Sequence, residues 1–417
     1  MRRLGRLLRS QYDYAFFMVS KEWALVLSVA GVILGAVTIL PSAVGIVLGA
    51  IAFVLGLGAF LRDVHEFQRK WADYEFTAIA VPFPVSTTPP PGAYPAPVYI
   101  HVPGRGTALV SGPIDDALTR ASIQARLADE SYQLPKHLKA SAPHVLRVVN
   151  HGRLVFNGKV VGMRSDPLPP GPTAAPVPPI TLHVARFFDA QCSNEMCTLR
   201  IAHRDTGEVF DPRIQLLTNA NGHLRTLAES TLADCVGIST IAFTADDQLV
   251  LVRQTSRNIA SALLLAPSGS GSLDLRDLSA EPGAAESLQD ILRRGMEREL
   301  REETGIRQDE IIATRVTGFA RWLERGAKPE FWGITELNVT AKDLEQRRHL
   351  ASDERLYSGG TFTMSVDLPA LSQELRDGAD ILDAPSLPVR IKEDGSLPLL
   401  LALRSATLSH APSKHGG

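Results

Sequence analysis

Residues 286–306 read ESLQDILRRGMERELREETGI, and this stretch decides the fold. Leu288, Leu292, Met296 and Leu300 recur every four residues with Ile291 beside them, which is the apolar stripe of a helix. At ~100° per residue, Glu299, Glu302 and Glu303 project into the same broad sector as that stripe. Arg294, Glu297 and Arg301 fall on the other side. The three carboxylates therefore follow the buried face. Unpaired buried charge is costly, so the cluster calls for a cation. Hard oxygen donors suit Mg2+ or Mn2+, which in turn bridge phosphate oxygens. The alternative is an arginine-rich helix that satisfies its own carboxylates through i,i+4 pairs.

The end of the stretch, Arg298-Glu299-Leu300-Arg301-Glu302-Glu303-Thr304-Gly305-Ile306, has the pattern R-E-U-x-E-E-x-G-U, with U aliphatic. It resembles the second half of the Nudix box, G-x5-E-x7-R-E-U-x-E-E-x-G-U, the loop–helix–loop signature of Nudix hydrolases. Counting back, the first glutamate of the box falls on Asp290 and its glycine on Ala284, next to Gly283, so the first half matches only in part. The resemblance implies an α/β/α sandwich with a mixed sheet. It implies that Glu299, Glu302 and Glu303 hold a divalent metal, with Asp290 as a further ligand, and makes Glu302 and Glu303 the candidate catalytic residues. Arg298 would orient a glutamate by a salt bridge, and Gly305 would end the helix in a left-handed conformation.

The flanking sequence fits such a sandwich. Residues 238–243 and 248–253 alternate apolar and polar about an Ala245-Asp246-Asp247 turn, which predicts a hairpin. Residues 315–322 and 330–337 predict two more strands joined at Arg325-Gly326. The Nudix-like domain is expected over 230–417. Ahead of the box lie a Ser/Gly loop, 266–272, and an insertion, LDLRDLSAEP. Ser268, Gly269, Ser270 and Gly271 are candidates to present backbone N–H groups to a nucleotide phosphate. A plain surface loop is the alternative.

The N-terminal part has a different character. Two apolar runs, 23–40 and 43–61, each have about the 17–25 residues of a membrane-crossing helix, with Pro41 and Ser42 between them. They predict a transmembrane hairpin. Arg2, Arg3, Arg6, Arg9 and Lys21 precede it, and Arg62, Arg69 and Lys70 follow it, so both termini are expected in the cytoplasm. Gly31 with Gly35, and Gly45 with Gly49, have the G-x-x-x-G spacing of close helix packing, within one hairpin or between chains. A charged helical continuation and proline-rich linker occupy 62–97. Residues 98–225 read as a mixed α/β region: a helix over 114–128 and short strands over 145–149, 154–157 and 159–163.

Composition excludes several classes. The formal net charge of −2 over 417 residues gives no global basic field for nucleic acid. Three cysteines do not make a disulfide framework and read as buried thiols. Histidines stand without metal-ligand spacing, and there is no Walker loop, G-x-S-x-G or kinase motif set.

Together, the hairpin, the Ser/Gly loop, Phe187-Phe188-Asp189 and Ser193-Asn194-Glu195 resemble a Nudix subgroup associated with cyclic-nucleotide-synthesising enzymes in bacterial antiphage (CBASS) operons. That resemblance implies an effector in the bacterial inner membrane. Its sensor would bind a cyclic oligonucleotide made by a partner synthase, and its hairpins would self-associate and disrupt the bilayer. The alternative is a membrane-tethered, metal-dependent Nudix hydrolase of nucleoside diphosphate derivatives.

Overall fold

The computed structural model describes residues 2–19, 31, 43–69, 71–78, 88–89, 94–150, 155–167, 178–254, 263–279, 283–346 and 358–409. Its strands are β1 (Tyr74–Ala78), β2 (Pro97–Val102), β3 (Gly106–Ser111), β4 (Gln124–Leu127), β5 (Lys159–Met163), β6 (Ile180–Arg186), β7 (Leu199–His203), β8 (Val209–Phe210), β9 (Gly237–Phe243), β10 (Gln248–Gln254), β11 (Leu265–Ala266), β12 (Gly269–Ser272), β13 (Ala285–Ser287), β14 (Ile311–Trp322), β15 (Lys328–Leu337) and β16 (Ser358–Ser365). The chain divides into two units. One comprises Met1–Ala78, Leu134–Gly158 and Arg186–Pro212, and the other Ile79–Gln133, Lys159–Ala185 and Arg213–Gly417. The stretch 98–225 thus contributes to both.

The second unit is built on a mixed nine-stranded sheet of order β11-β10-β9-β15-β14-β3-β2, with β12 also on β9 and β16 also on β10. The pairing of β9 with β15 is parallel, and that of β14 with β15 is antiparallel. Alternation along the strands assigns the two faces. Ile241, Leu249 and Leu251 join one core with Leu399, Leu400 and Leu403 of the C-terminal helix Leu397–Ser409. Their neighbours Ala242 and Val250 join another core with Leu300 and Ile306 at the end of the box. Helices therefore cover both faces, which is the α/β/α arrangement the box implies. A smaller sheet, β13-β4-β6-β5, completes this unit.

The helix Leu288–Thr304 forms as the period indicates. Ser287 caps its start, its hydroxyl accepting from Asp290 N, and Gly305 ends it at φ 74°. Leu288, Ile291, Leu292, Met296 and Leu300 are all buried, each contributing about 1.5–3 kcal/mol relative to exposure. Glu297, expected on the solvent side, is buried as well, held by Arg293 and by Gln308 Nε2 at 3.1 Å.

In the first unit, helix Arg2–Val19 is fixed by Phe17, which packs edge-on against Phe188 at 5.4 Å and under Lys139. The β1-β7-β8 sheet lies with it. The strand expected at 145–149 is instead the last turn of helix Lys136–Val149. Leu138, Ala142, Val145, Leu146 and Val149 make one helical stripe, and burying it outweighs the β preference of the valines. The strand expected at 154–157 is irregular over its described residues. Asn157 there donates its N–H to the Asp13 carboxylate and accepts Phe188 N on its side chain, so these groups serve two helices rather than a ladder. In the second unit the helix expected over 114–128 spans Gly112–Arg120, and Gln124–Leu127 alternates exposed and buried as strand β4.

The second apolar run begins the helix Ala43–Arg69. The first run lies outside the described residues apart from Gly31. A Cβ added at Gly31 would stand 3.8 Å from Gly56 Cα. Among the described residues no helix is long and apolar enough to cross a membrane, so they do not support the expected hairpin.

A close joint of the second unit is where β12 meets the box helix. A Cβ on Gly269 would fall 2.4 Å from Leu300 N, against backbone that cannot yield. Gly269→Ala is therefore expected to destabilise by about 1–3 kcal/mol. Denaturant unfolding would register this as a lower midpoint at unchanged slope, whereas an unaffected midpoint would contradict the packing.

Candidate functional site

The carboxylates of the box are gathered by an arginine. Arg298 donates from Nε and Nη2 to the two oxygens of Asp277, at 2.8 Å each, and from Nη1 to Glu299 at 2.6 Å. Its Nη2 also reaches Ser272 O at 3.0 Å, and Glu302 lies 3.5 Å from Nη1. Such a fork uses the planar geometry that lysine lacks. Asp277 is itself buried and accepts Asp274 N at 2.8 Å, so the clamp ties the insertion ahead of the box to the box helix. Arg294 adds a second tie, donating to Asp277 O at 2.7 Å and to Glu286.

Glu299, Glu302 and Glu303 do lie at one end of the helix, as the periodicity predicts, but their partners differ. Glu299 faces Arg298. Glu302 is partly exposed and is drawn to Arg276 at 3.0 Å. Glu303 accepts Ser270 N at 3.0 Å and has no ion-pair partner among the described residues. Asp290 is not with them. It lies roughly half a turn away from Glu299 around the helix and about 14 Å along it. It pairs with Arg293 at 3.4 Å, its side chain more than half exposed.

The Ser/Gly loop is a strand, and this corrects its expected role. Gly269–Ser272 pairs antiparallel with β9, Gly269 opposite Thr240 and Ser272 opposite Gly237. Ser268 is fully buried, its hydroxyl accepting Ala242 N at 2.6 Å and donating to Val250 O at 2.5 Å. Ser270 N is spent on Glu303. Gly271 is present because a Cβ there would fall 2.2 Å from Glu299 Oε1. These residues accommodate the box helix and its carboxylates. They do not form a free phosphate cradle.

Arg276 and Asp277, which sequence reasoning passed over as insertion, prove to be parts of the site. Arg298 points to an acidic partner, but nothing in the spacing places that partner some twenty residues upstream.

Burial pushes the Glu299 carboxyl up to about 7, against the pull of Arg298. It pushes Glu303 well above the ordinary range, with the Glu299 charge adding to the effect. Two buried carboxylates without full compensation suit a cation in their chemistry. Their arrangement does not fit one: among the described residues no three His, Cys, Asp or Glu side chains are placed to hold a metal ion. A raised Glu299 favours the fold below about pH 4.5, and that contribution is lost as pH rises through about 7. Glu299→Gln removes this dependence. The variant should therefore gain melting temperature relative to wild type between pH 5 and pH 8, measured in chelator. A difference that is constant with pH would contradict the burial argument.

No family model matches the chain, and no curated protein matches it. Among solved structures it is similar to DR0079 from Deinococcus radiodurans, with TM-score 0.22 and 14% identity over 39% of this chain and 88% of that one. It is similar to the MutT protein of Methanosarcina mazei Go1, with TM-score 0.22 and 15% identity over 39% of this chain and 89% of that one. A third is Tm1382, described as a candidate Nudix hydrolase, with TM-score 0.19 and 10% identity over 35% of this chain and 64% of that one. Likeness at these TM-scores carries no argument. The resemblance to the Nudix superfamily rests on Arg298–Ile306 and on the helix and sheet that surround those residues.

Proposed function

We propose that the chain is a nucleotide receptor tethered to a membrane, whose Nudix-like domain binds a cyclic oligonucleotide without consuming it. The observation that carries this reading is the arginine clamp. Arg298 and Arg276 neutralise Glu299 and Glu302 within the protein, and Glu303 is engaged by the backbone of β12. The box carboxylates then act as an internal frame linking strand, insertion and helix.

In this proposal the N-terminal hairpin lies in the bacterial inner membrane with both termini in the cytoplasm. A partner synthase supplies the signal during phage infection, as in CBASS defence, and clustering of hairpins disrupts the bilayer. One feature of the helix Ala43–Arg69 supports self-association. Val47, Ile51, Val54, Gly58 and Leu61 are exposed and recur at alternating steps of four and three. That is the seam of a two-helix contact. A signal switches such a system only by binding the clustered arrangement more tightly than the resting one.

A second reading, the metal-dependent hydrolase, is favoured by the intact Arg298–Ile306 motif. In it Glu299, Glu302 and Glu303 would hold Mg2+ or Mn2+, which would supply an activated water, and Arg276 would have to release Glu302.

The two readings separate on the full chain in detergent with Mg2+ present. A panel of cyclic di- and trinucleotides is titrated, and bound material is recovered. The receptor reading expects one of them to bind and return whole, and Glu303→Gln to keep killing cells. Recovery of cleaved nucleotide, with turnover falling about a hundredfold or more in Glu303→Gln, would establish the hydrolase instead.

A further inference from the structure

A cavity of about 1000 Å³ opens at the other end of the box helix, between that helix, β14 and the C-terminal helix. Asp115, Arg120, Asp290, Arg293, Arg315 and Arg404 line it, with Val110 and Ile334 as apolar wall. Its size is at the upper end of small-molecule sites, roughly 300–1,000 Å³, and exceeds what a lone phosphate needs.

The charges around it fall into two sets. Arg120 pairs with Asp116 at 3.7 Å and Arg315 with Glu336 at 2.7 Å, while Arg293 holds both Asp290 at 3.4 Å and the buried Glu297 at 3.3 Å. The Arg120 and Arg315 pairs face solvent and are worth about 0–1 kcal/mol, and a competing anion displaces such partners readily. Arg404 differs. It is half-buried and, among the described residues, its guanidinium makes no ion pair or hydrogen bond; the carboxylates it feels are Asp115 and Asp380, through space. Asp115 holds one carboxylate oxygen against Phe319 N at 2.9 Å. Its burial pushes it up to about 7 although Arg404 attracts it. A half-buried cation and a half-buried carboxylate thus share one cavity without closing on each other.

The geometry points to this cavity as the seat of a phosphate-bearing ligand with a hydrogen-bond donor edge, the combination a nucleoside phosphate offers, with Arg404 taking phosphate and Asp115 taking the edge. Guanidinium forks match phosphate oxygens two at a time. A carboxylate accepts from the amino and imino groups of a base. Arg315 stands at the rim to take further phosphate charge once Glu336 lets go, and Arg293 adds its charge while it keeps Glu297. The seat is some 14–18 Å along the helix from Glu299 and Glu302, at 1.5 Å rise per residue. Binding there therefore leaves the clamp intact. The inference deepens the receptor reading and rests on it.

The test titrates cyclic di-GMP, cyclic di-AMP, cyclic GMP–AMP and the four nucleoside monophosphates into the full chain in detergent, comparing wild type with Arg404→Ala, Arg315→Ala and Glu302→Gln. Melting curves check that each variant folds, and Arg315→Ala, on the exposed rim, serves if Arg404→Ala does not. The expected result is that a probe binds wild type, and that affinity falls at least tenfold in Arg404→Ala and severalfold in Arg315→Ala. Binding that survives both arginine variants but fails in Glu302→Gln would overturn the cavity as the seat and leave the receptor reading standing. No binding of any probe to wild type would overturn both.

Discussion

The second unit depends on how a helix with three glutamates at one end can pack against a sheet. Its apolar stripe demands burial, and the stripe carries Glu299 and Glu303 in with it. Arg298 resolves the conflict by reaching Asp277 and Glu299 at once. Removing one partner of such a buried cluster would leave charge uncompensated, at about 3–5 kcal/mol. The insertion ahead of the box, the glycine strand behind the carboxylates and the helix itself are held in register by this one guanidinium.

The glycines follow from the same constraint. β12 can lie across the box helix only if nothing projects from it at 269, where a Cβ would meet the Leu300 backbone, and this approach brings Ser270 N to Glu303. What looks in sequence like a flexible phosphate loop is a close backbone contact with the box helix. The opposite end of the same helix is open, bordered by Arg120 and Arg315 with exposed partners and by Arg404, whose guanidinium has no ion-pair partner among the described residues. One helix thus presents an end braced by arginines and backbone and an open, charged end, and the receptor reading draws on that asymmetry.

Much of this was legible in the sequence because it is periodic. The box helix, strand β5 and the hairpin of β9 and β10 followed from spacing, to within a residue or so at the strand ends, and the Gly305 stop from the resemblance to the box. The two faces of the sheet followed from alternation. What escaped depends on contacts distant along the chain. Asp277 has no mark as the partner of Arg298. Ser268 looks like a loop residue until Ala242 and Val250 claim its hydroxyl. Residues 145–149 are valine-rich enough to suggest a strand, and only the stripe begun at Leu138 makes them helix. The cavity joins Asp115 to Arg404, at nearly opposite ends of this unit in sequence, and no local pattern announces such a pair.

The claim that most needs testing is that arginines, and not a metal ion, balance the box carboxylates. Titrating Mn2+ into the full chain and following the free-ion electron paramagnetic resonance signal tests it directly. The account predicts that stoichiometric protein leaves the free Mn2+ signal undiminished, and that Arg276→Ala, by freeing Glu302, allows some of it to be taken up. Tight, one-to-one uptake by the wild-type chain that disappears in Glu302→Gln would contradict it.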